Sequence, residues 1–388
     1  MTTEFPIYLD YAATTPIDPR VAERMSECLG AQGAHGNPSS TGHEYGRRAR
    51  KLVEDARVQV AKAIGTQPAC IVWTSGATES NNLALFGSAR FNRERGRHIV
   101  SSLTEHKAVL DPLGQLEREG FEVTYLRPGP SGAISPEHVI AALRADTVLV
   151  SLMHVNNEIG VIQDVAAVGR SCRARGIAFH VDAAQSAGKL PIDVESACID
   201  LLSLTAHKCY GPKGIGVLYM RRQPGFGLQP LLFGGGQEYG MRSGTLATHQ
   251  IVGMGMALSL AVAEMAEDDM RIRNLRDRLW RGVQMLGGVE LNGDPQQQVA
   301  GVLNIAFHNV AGESLQFALR NLAISSGSAC SSGSDTPSHV LQALGRSKQL
   351  AQSSLRFSLG RFTTIAEVDA TIATLQHELP RLRPIEST

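Results

Sequence analysis

Between about residues 50 and 220 the chain alternates between two hydrophobic rhythms. Short runs rich in β-branched residues predict strands: CIVWT (70–74), HIVSS (98–102), EVTYL (122–126), TVLVSLM (147–153), IAFHVD (177–182), IDLLSL (199–204) and GIGVLYM (214–220). Several of the intervening stretches carry apolar residues at helical spacing. Residues 49–64 put Leu52, Val53, Ala56, Val60 and Ala63 on one face and stop at Gly65. Residues 105–119 and 165–175 read as further helices. This alternation predicts an α/β fold with a doubly wound, mostly parallel sheet covered by helices on both faces.

Beyond about residue 260 the rhythm changes. VGMGMALSLAVAEM (252–265) reads as a buried helix, too short to span a bilayer, and MRIRNLRDRLWRGVQML (270–286) as a long charged one. VLNIAFH (302–308) predicts a strand. Thr364 and Glu367 have the spacing of a capping box, which opens a last amphipathic helix carrying Val368, Ile372, Leu375 and Leu379. The expected division is a large domain over 16–260 and a smaller α+β domain built from 1–15 and 261–388.

Composition narrows this picture without redirecting it. A chain of 388 residues, 43% hydrophobic and 19% charged, suits a soluble protein with one large and one smaller domain. Lys+Arg and Asp+Glu both number 37, so no net charge draws the protein to nucleic acid or to a membrane surface. The start, MTTEFPIYLDYAATTP, lacks the basic and apolar regions of a secretory signal. The six cysteines (Cys28, Cys70, Cys172, Cys198, Cys209, Cys330) show neither CxxC spacing nor paired clusters. That argues against a zinc site or a disulfide framework and fits a reducing cytoplasm, with all but Cys330 read as core thiols.

In open α/β sheets ligands sit at the carboxyl ends of strands, so the polar residues just after each strand carry the functional reading. SGATESNN, HVNNE, AAQS and TAHKCYGPKG follow four of the predicted strands and converge on one crevice. Ser75-Gly76-Ala77-Thr78-Glu79 is a small-residue turn into a helix, whose free N–H groups suit a phosphate; Thr78 as a simple N-cap is the alternative. Asp182 ends an apolar strand, where a buried carboxylate needs a cationic or donor partner such as a protonated pyridine; a solvated strand-end Asp is the plain reading. Lys208, in Thr205-Ala206-His207-Lys208, is of the residue type that forms Schiff bases, although a lysine near a glycine turn is ordinarily a surface charge. Cys330 lies in ISSGSACSSGS (324–334), a small polar run unlike a core, where an exposed thiol could act as a nucleophile or be incidental.

Together these segments resemble the group I cysteine desulfurases, the NifS/IscS family, most of all its IscS branch. The resemblance runs from YLDYAATTP (8–16) to SSLRFSLGRFTT (353–364). It includes HGNPSS (35–40), TSGATESNN (74–82), TEHKAVL (104–110), MHVNNEIGVIQD (153–164), HVDAAQSAGKLPID (180–193), AHKCYGPKGIG (206–216), GGGQEYGMRSGTL (234–246) and SSGSACSSGS (325–334). It implies the pyridoxal-phosphate (PLP)-dependent transferase fold of aspartate aminotransferase type, with a mostly parallel seven-stranded sheet, and a homodimer. Lys208 would carry the cofactor, Asp182 would pair with its pyridine nitrogen, and Gln185 would reach its phenolic oxygen. His106 would stack on the ring and serve in acid–base steps, and Asn157 would lie by cofactor and substrate. Ala77, Thr78, Thr205 and His207 would hold the phosphate, with Thr245 supplied by the other subunit. Arg356 would clamp the substrate carboxylate.

The implied reaction turns L-cysteine into L-alanine and leaves a persulfide on Cys330 for an acceptor protein, an iron–sulfur scaffold or a thiolation protein. In relatives this cysteine also helps ligate a nascent cluster on a bound scaffold, a metal role in trans only. Two departures stand out. Thr205 replaces the usual serine and keeps the hydroxyl, and the chain ends at RLRPIEST, short of the IscS tail that helps dock the scaffold, which bears on the acceptor. Rival readings are a desulfurase dedicated to tRNA thiolation or DNA phosphorothioation, a selenocysteine lyase, and a catalytically silent binding partner; retention of both Lys208 and Cys330 argues against the last.

Overall fold

The computed structural model describes residues 5–326 and 337–383. The chain enters with β1 (Ile7–Tyr8). The seven strands of the main sheet follow: β2 (Ile71–Thr74), β3 (His98–Ser102), β4 (Glu122–Leu126), β5 (Thr147–Met153), β6 (Ala178–Asp182), β7 (Leu201–Thr205) and β8 (Gly216–Met220). They lie in the order β2-β8-β7-β6-β5-β3-β4. All pairings among β3 to β7 are parallel, and β8 runs antiparallel to both of its neighbours. Strands β3, β5, β6 and β7 are buried along their whole length, as parallel strands covered on both faces must be, whereas the edge strand β4 is only half-buried.

From β3 the chain moves outward to β4, and from β5 it moves the other way to β6. The adjacent strands β3 and β5 therefore frame a switch point, and a crevice opens beyond their carboxyl ends. One covering helix, Ala77–Phe91, packs over β5 to β8 on one face. On the other side Glu44–Ala63 packs along Thr248–Ala263, at a spacing that a side chain would spoil: a Cβ on Gly255 would lie 2.9 Å from the Ala56 Cα. The first of these two helices starts five residues before the apolar pattern does, because the His43 Nδ1 accepts from the Gly46 N–H at 3.2 Å and serves as its cap.

The later part builds a second core. Strands β9 (Val289–Leu291), β10 (Val302–Phe307), β12 (Ser325–Ser326) and β13 (Ser354–Ser358) form an antiparallel sheet, and β11 (Leu322–Ala323) pairs with β1. Helices Met265–Gln284 and Ile365–Leu382 cover it, the second opened by the expected Thr364/Glu367 capping box. Leu279, Ile305, Phe307, Leu355, Phe357, Val368 and Leu375 fill this core together with Leu9 from the amino-terminal arm.

That arm is stitched to both halves. Ser358 N–H donates to the Leu9 carbonyl (2.7 Å) and Tyr11 N–H to the Ser358 carbonyl (3.2 Å), on the second sheet. A few residues on, Thr15 N–H donates to the His207 carbonyl (2.8 Å) and Asp18 N–H to that of Tyr210 (3.0 Å), on the turn after β7.

The cysteine expectation needs one correction. Cys28, Cys70, Cys172 and Cys209 are buried, and burial drives the Cys172 and Cys209 thiols up to about 12, but Cys198 is half-exposed in a positive-φ turn and is no core thiol. Cys330 lies outside the described residues. No single helix among the described residues is long and apolar enough to cross a membrane.

Candidate active site

The crevice at the switch point is a cavity of about 510 Å³. The segments after β2, β3, β5, β6 and β7 all reach it, contributing Ala77, Thr78, His106, Asn157, Asp182, Gln185, Thr205, His207 and Lys208 to its lining. The expected convergence of strand ends is therefore present.

The wall after β2 is a helix start with no capping side chain. Gly76 is the N-cap of Ala77–Phe91 at φ +154°, a conformation that favours glycine, and Thr78 lies inside the first turn rather than at the cap. The simple N-cap reading of Thr78 is thus wrong. With no side chain among the described residues taking up the first N–H groups, they and the positive end of the helix dipole are left for an anion. Gly216 on β8 closes against this turn so tightly that a Cβ there would lie 2.6 Å from the Gly76 Cα. Thr205, at the end of β7, stands beside the same turn.

Asp182 ends β6 and is 5% exposed. Its Oδ2 accepts from Asn81 Nδ2 at 2.8 Å and its Oδ1 from the Ala184 N–H at 2.9 Å. Both donors are neutral amides. Asn81 carried no sequence signal as a site residue, since its partner lies 101 residues away in the chain. Gln185, one turn beyond Asp182, donates from Nε2 to the Ala12 carbonyl (2.7 Å) and accepts at Oε1 from Lys189 Nζ (2.9 Å).

His106 caps helix Lys107–Arg118, its Nδ1 accepting from the Ala108 N–H at 3.1 Å, so a neutral ring carries its proton on Nε2. Burial, then the charge of Lys208, lowers its pKa. His207 is pushed down to about 4, by burial and then by the Lys208, Lys213 and Lys189 charges, and its Nδ1 lies 3.2 Å from Thr14 Oγ1. The neighbouring Glu105, absent from the sequence reading, is fully buried with Oε1 accepting from the Met153 N–H (2.9 Å), and burial raises its pKa well above the carboxylate range.

Two expected residues stand apart from this cavity. Arg356 is buried on β13 and does not line it: Nη1 donates to the Asn157 carbonyl and Nη2 to Asp10 Oδ1, each at 2.7 Å. Thr245 lies on the 234–247 segment, away from its own chain's cavity. That segment is pinned through Arg242 to Glu79 and through Glu238 to Arg57, whose Nη1 and Nη2 each meet the carboxylate at 2.8 Å. Both neighbours of the undescribed 327–336 segment attach near the site. Ser325 and Ser326 pair with Arg356 and Leu355, Ser338 donates to Glu158 Oε2, and His339 Nε2 lies 2.9 Å from the Glu105 carbonyl.

This donor set fits pyridoxal phosphate. The helix start suits a phosphate, the desolvated carboxylate a pyridinium proton, the Gln185 amide an oxygen, and Asn157 Oδ1 is a buried acceptor with no protein donor among the described residues. Comparison with known proteins agrees. A profile of the class-V aminotransferase family matches residues 7–371. Cysteine desulfurase IscS of Shewanella sediminis is 59% identical over 380 residues, covering 98% of this chain and 94% of that protein. Among solved structures, a NifS-like protein superposes with a TM-score of 0.90 at 36% identity, over 97% of this chain and all of the other. A structure described as SspA in complex with cysteine superposes at 0.81 with 40% identity, over 92% of this chain and 99% of that one.

Proposed function

The chain belongs to the class-V aminotransferase family and is a cysteine desulfurase that works with pyridoxal phosphate, and from that premise we propose how its residues divide the work. The observation that carries the assignment is one cavity holding an uncapped helix start, a buried carboxylate on neutral donors, and Lys208. When bound, the cofactor supplies an electron sink for the substrate's carbon framework.

Ala77 and Thr78, with Thr205 and His207, hold the phosphate; burial keeps the His207 ring neutral, so it hydrogen-bonds rather than pairing as a cation. Asp182, oriented by two neutral amide donors, would accept from the protonated ring nitrogen. Gln185 meets the phenolic oxygen. Lys208 would hold the cofactor, and its amine would take up the α-proton of the bound substrate. His106, lowered in pKa by burial and then by the Lys208 charge, would offer a neutral imidazole for proton transfer to or from the substrate. Asn157 and Arg356 serve the substrate. Arg356 adjoins the Asn157 backbone and is placed to take the substrate carboxylate by exchanging partners.

The Cys330 thiolate attacks the sulfur of L-cysteine. An S–S bond forms, the C–S bond breaks, and the carbon skeleton is protonated and leaves as alanine. The anchoring of residues 325–326 and 338–339 beside the cavity supports this role for the segment between them. The persulfide then passes to an acceptor protein, for which we favour an iron–sulfur scaffold. We place the cofactor-holding part at 16–260 and the part bearing Cys330 at 1–15 with 261–388, a division that the two separate apolar cores support. The working unit is a homodimer in which Thr245 completes the other subunit's phosphate site, and the working compartment is the cytoplasm. The direct test is Cys330→Ala. It should keep bound cofactor while sulfide release from L-cysteine falls to background; undiminished turnover would overturn the assignment of the thiol.

A further inference from the structure

Gln185 can face the cavity in two ways, amide nitrogen inward or oxygen inward, and only the nitrogen can donate to an oxygen there. What settles the choice is its surroundings. A lysine ammonium has donors only, and a backbone carbonyl accepts only. Lys189 Nζ stands 2.9 Å from one end of the amide and the Ala12 carbonyl 2.7 Å from the other. Reversing the amide would set donor against donor at Lys189 and oxygen against oxygen at Ala12. Of the two Nε2 hydrogens, one goes to Ala12 and the other remains for the cavity that Gln185 lines.

We propose that Lys189 is a positioning residue that locks the Gln185 amide with its nitrogen toward the cofactor, and that a second amine beside Lys208 thereby sets the proton affinity of the cofactor's phenolic oxygen. The inference rests on the placement of Gln185 given above. Lys189 also borders a small cavity of about 50 Å³ with Tyr11, Tyr210, Asp268 and Asp269. Burial and then the Lys208 charge bring its amine down to about 7, with Cys209 acting in the raising sense and Arg356 in the lowering one. Lys189 can thus shed its proton near neutrality, and its neutral amine keeps N–H donors, so the bond to Gln185 Oε1 is made in either state.

The test compares holoenzymes of wild type, Lys189→Met, Lys189→Arg, Gln185→Ala and the Lys189→Met/Gln185→Ala double variant. The readouts are the pH midpoint of the bound cofactor's absorbance, cofactor content, and kcat and KM for L-cysteine. Lys189→Met should move the midpoint by about 0.5–1 pH unit and lower kcat ~10-fold with little change in KM or cofactor content. Lys189→Arg, which keeps a donor, should recover most of both. The double variant should match Gln185→Ala alone, because Lys189 acts through the amide. Where the Met variant folds poorly, Lys189→Ala gives the same reading. A Lys189→Met midpoint and kcat equal to wild type, while Gln185→Ala shifts them, overturns the role of Lys189; so do purely additive effects. An unaltered Gln185→Ala spectrum instead overturns the placement of Gln185, and the proposal with it.

Discussion

Asp182 is a buried carboxylate whose two side-chain oxygens are both met by neutral amide donors. Asn81 and the Ala184 amide fix its orientation, and a pyridinium partner would add the cationic donor that neither supplies. Asp182→Asn removes the charge and sets an NH2 against one of those two donors. Turnover of L-cysteine should fall ~10²–10³-fold with cofactor still bound, as when one preorganised electrostatic contact is lost. Steady-state rates beside cofactor absorbance check this, and activity within ~3-fold of wild type would remove Asp182 from its assigned place. At this scale the sequence was readable wherever a polar residue closed an apolar run, as Asp182, Thr205 and Lys208 do. Asn81 and Glu105 escaped notice because each looks like ordinary helix or loop polarity until a distant partner meets it, and Lys189 because its burial is not visible in the sequence.

Among elements, the edge strand β2 shows how the periphery is finished. Its Trp73 N–H, facing away from the sheet, donates to Glu238 Oε2 at 2.9 Å, and Arg57 ties the same carboxylate to the Ile71 carbonyl. Arg57 and Glu238 side chains are 3% and 2% exposed, and Glu238 and Tyr239 both sit at positive φ. Glu238→Ala would leave the buried Arg57 guanidinium to Glu54 and the Ile71 carbonyl alone and would unpair the Trp73 strand amide. It should cost about 3–5 kcal/mol of stability, read from urea unfolding, with Glu238→Gln milder. A loss below ~1 kcal/mol would show that the pair is not what holds the segment. Apolar period located the strands of the main sheet and the helices at 105–119 and 165–175 to within a few residues, whereas Ala77–Phe91, which packs over β5 to β8, shows in the sequence only as a turn into a helix. It could not anticipate the His43 cap, the antiparallel sense of β8 or a charged pair inside the face of Glu44–Ala63, since none of these alters the hydrophobic rhythm.

For the whole molecule, the dimer reading gives a clean experiment by subunit mixing. On that reading Lys208→Ala should disable a chain's own cavity, and Thr245→Ala should disable the phosphate site of its neighbour. A mixed dimer then holds one intact site and one doubly damaged site. Mixing the two variants after dissociation should restore cysteine turnover above either parent, and no restoration would place Thr245 outside the partner's site.

The amino-terminal arm carries a further consequence. Between Leu9 and Asp18 it supplies an anchor for Arg356, a carbonyl for Gln185 and a hydroxyl beside His207, while its backbone is shared between the second sheet and the lysine turn. Ligand occupancy and arm docking are therefore thermodynamically linked, and whatever tightens one raises the opening free energy of the other. The amides of Tyr11, Thr15 and Asp18 should exchange with deuterium more slowly in holoenzyme than in apoenzyme, and a protease acting near the arm should cut the apo form first. Equal exchange in the two forms would uncouple them. These first residues would then report, at a distance from the chemistry, whether the enzyme is loaded.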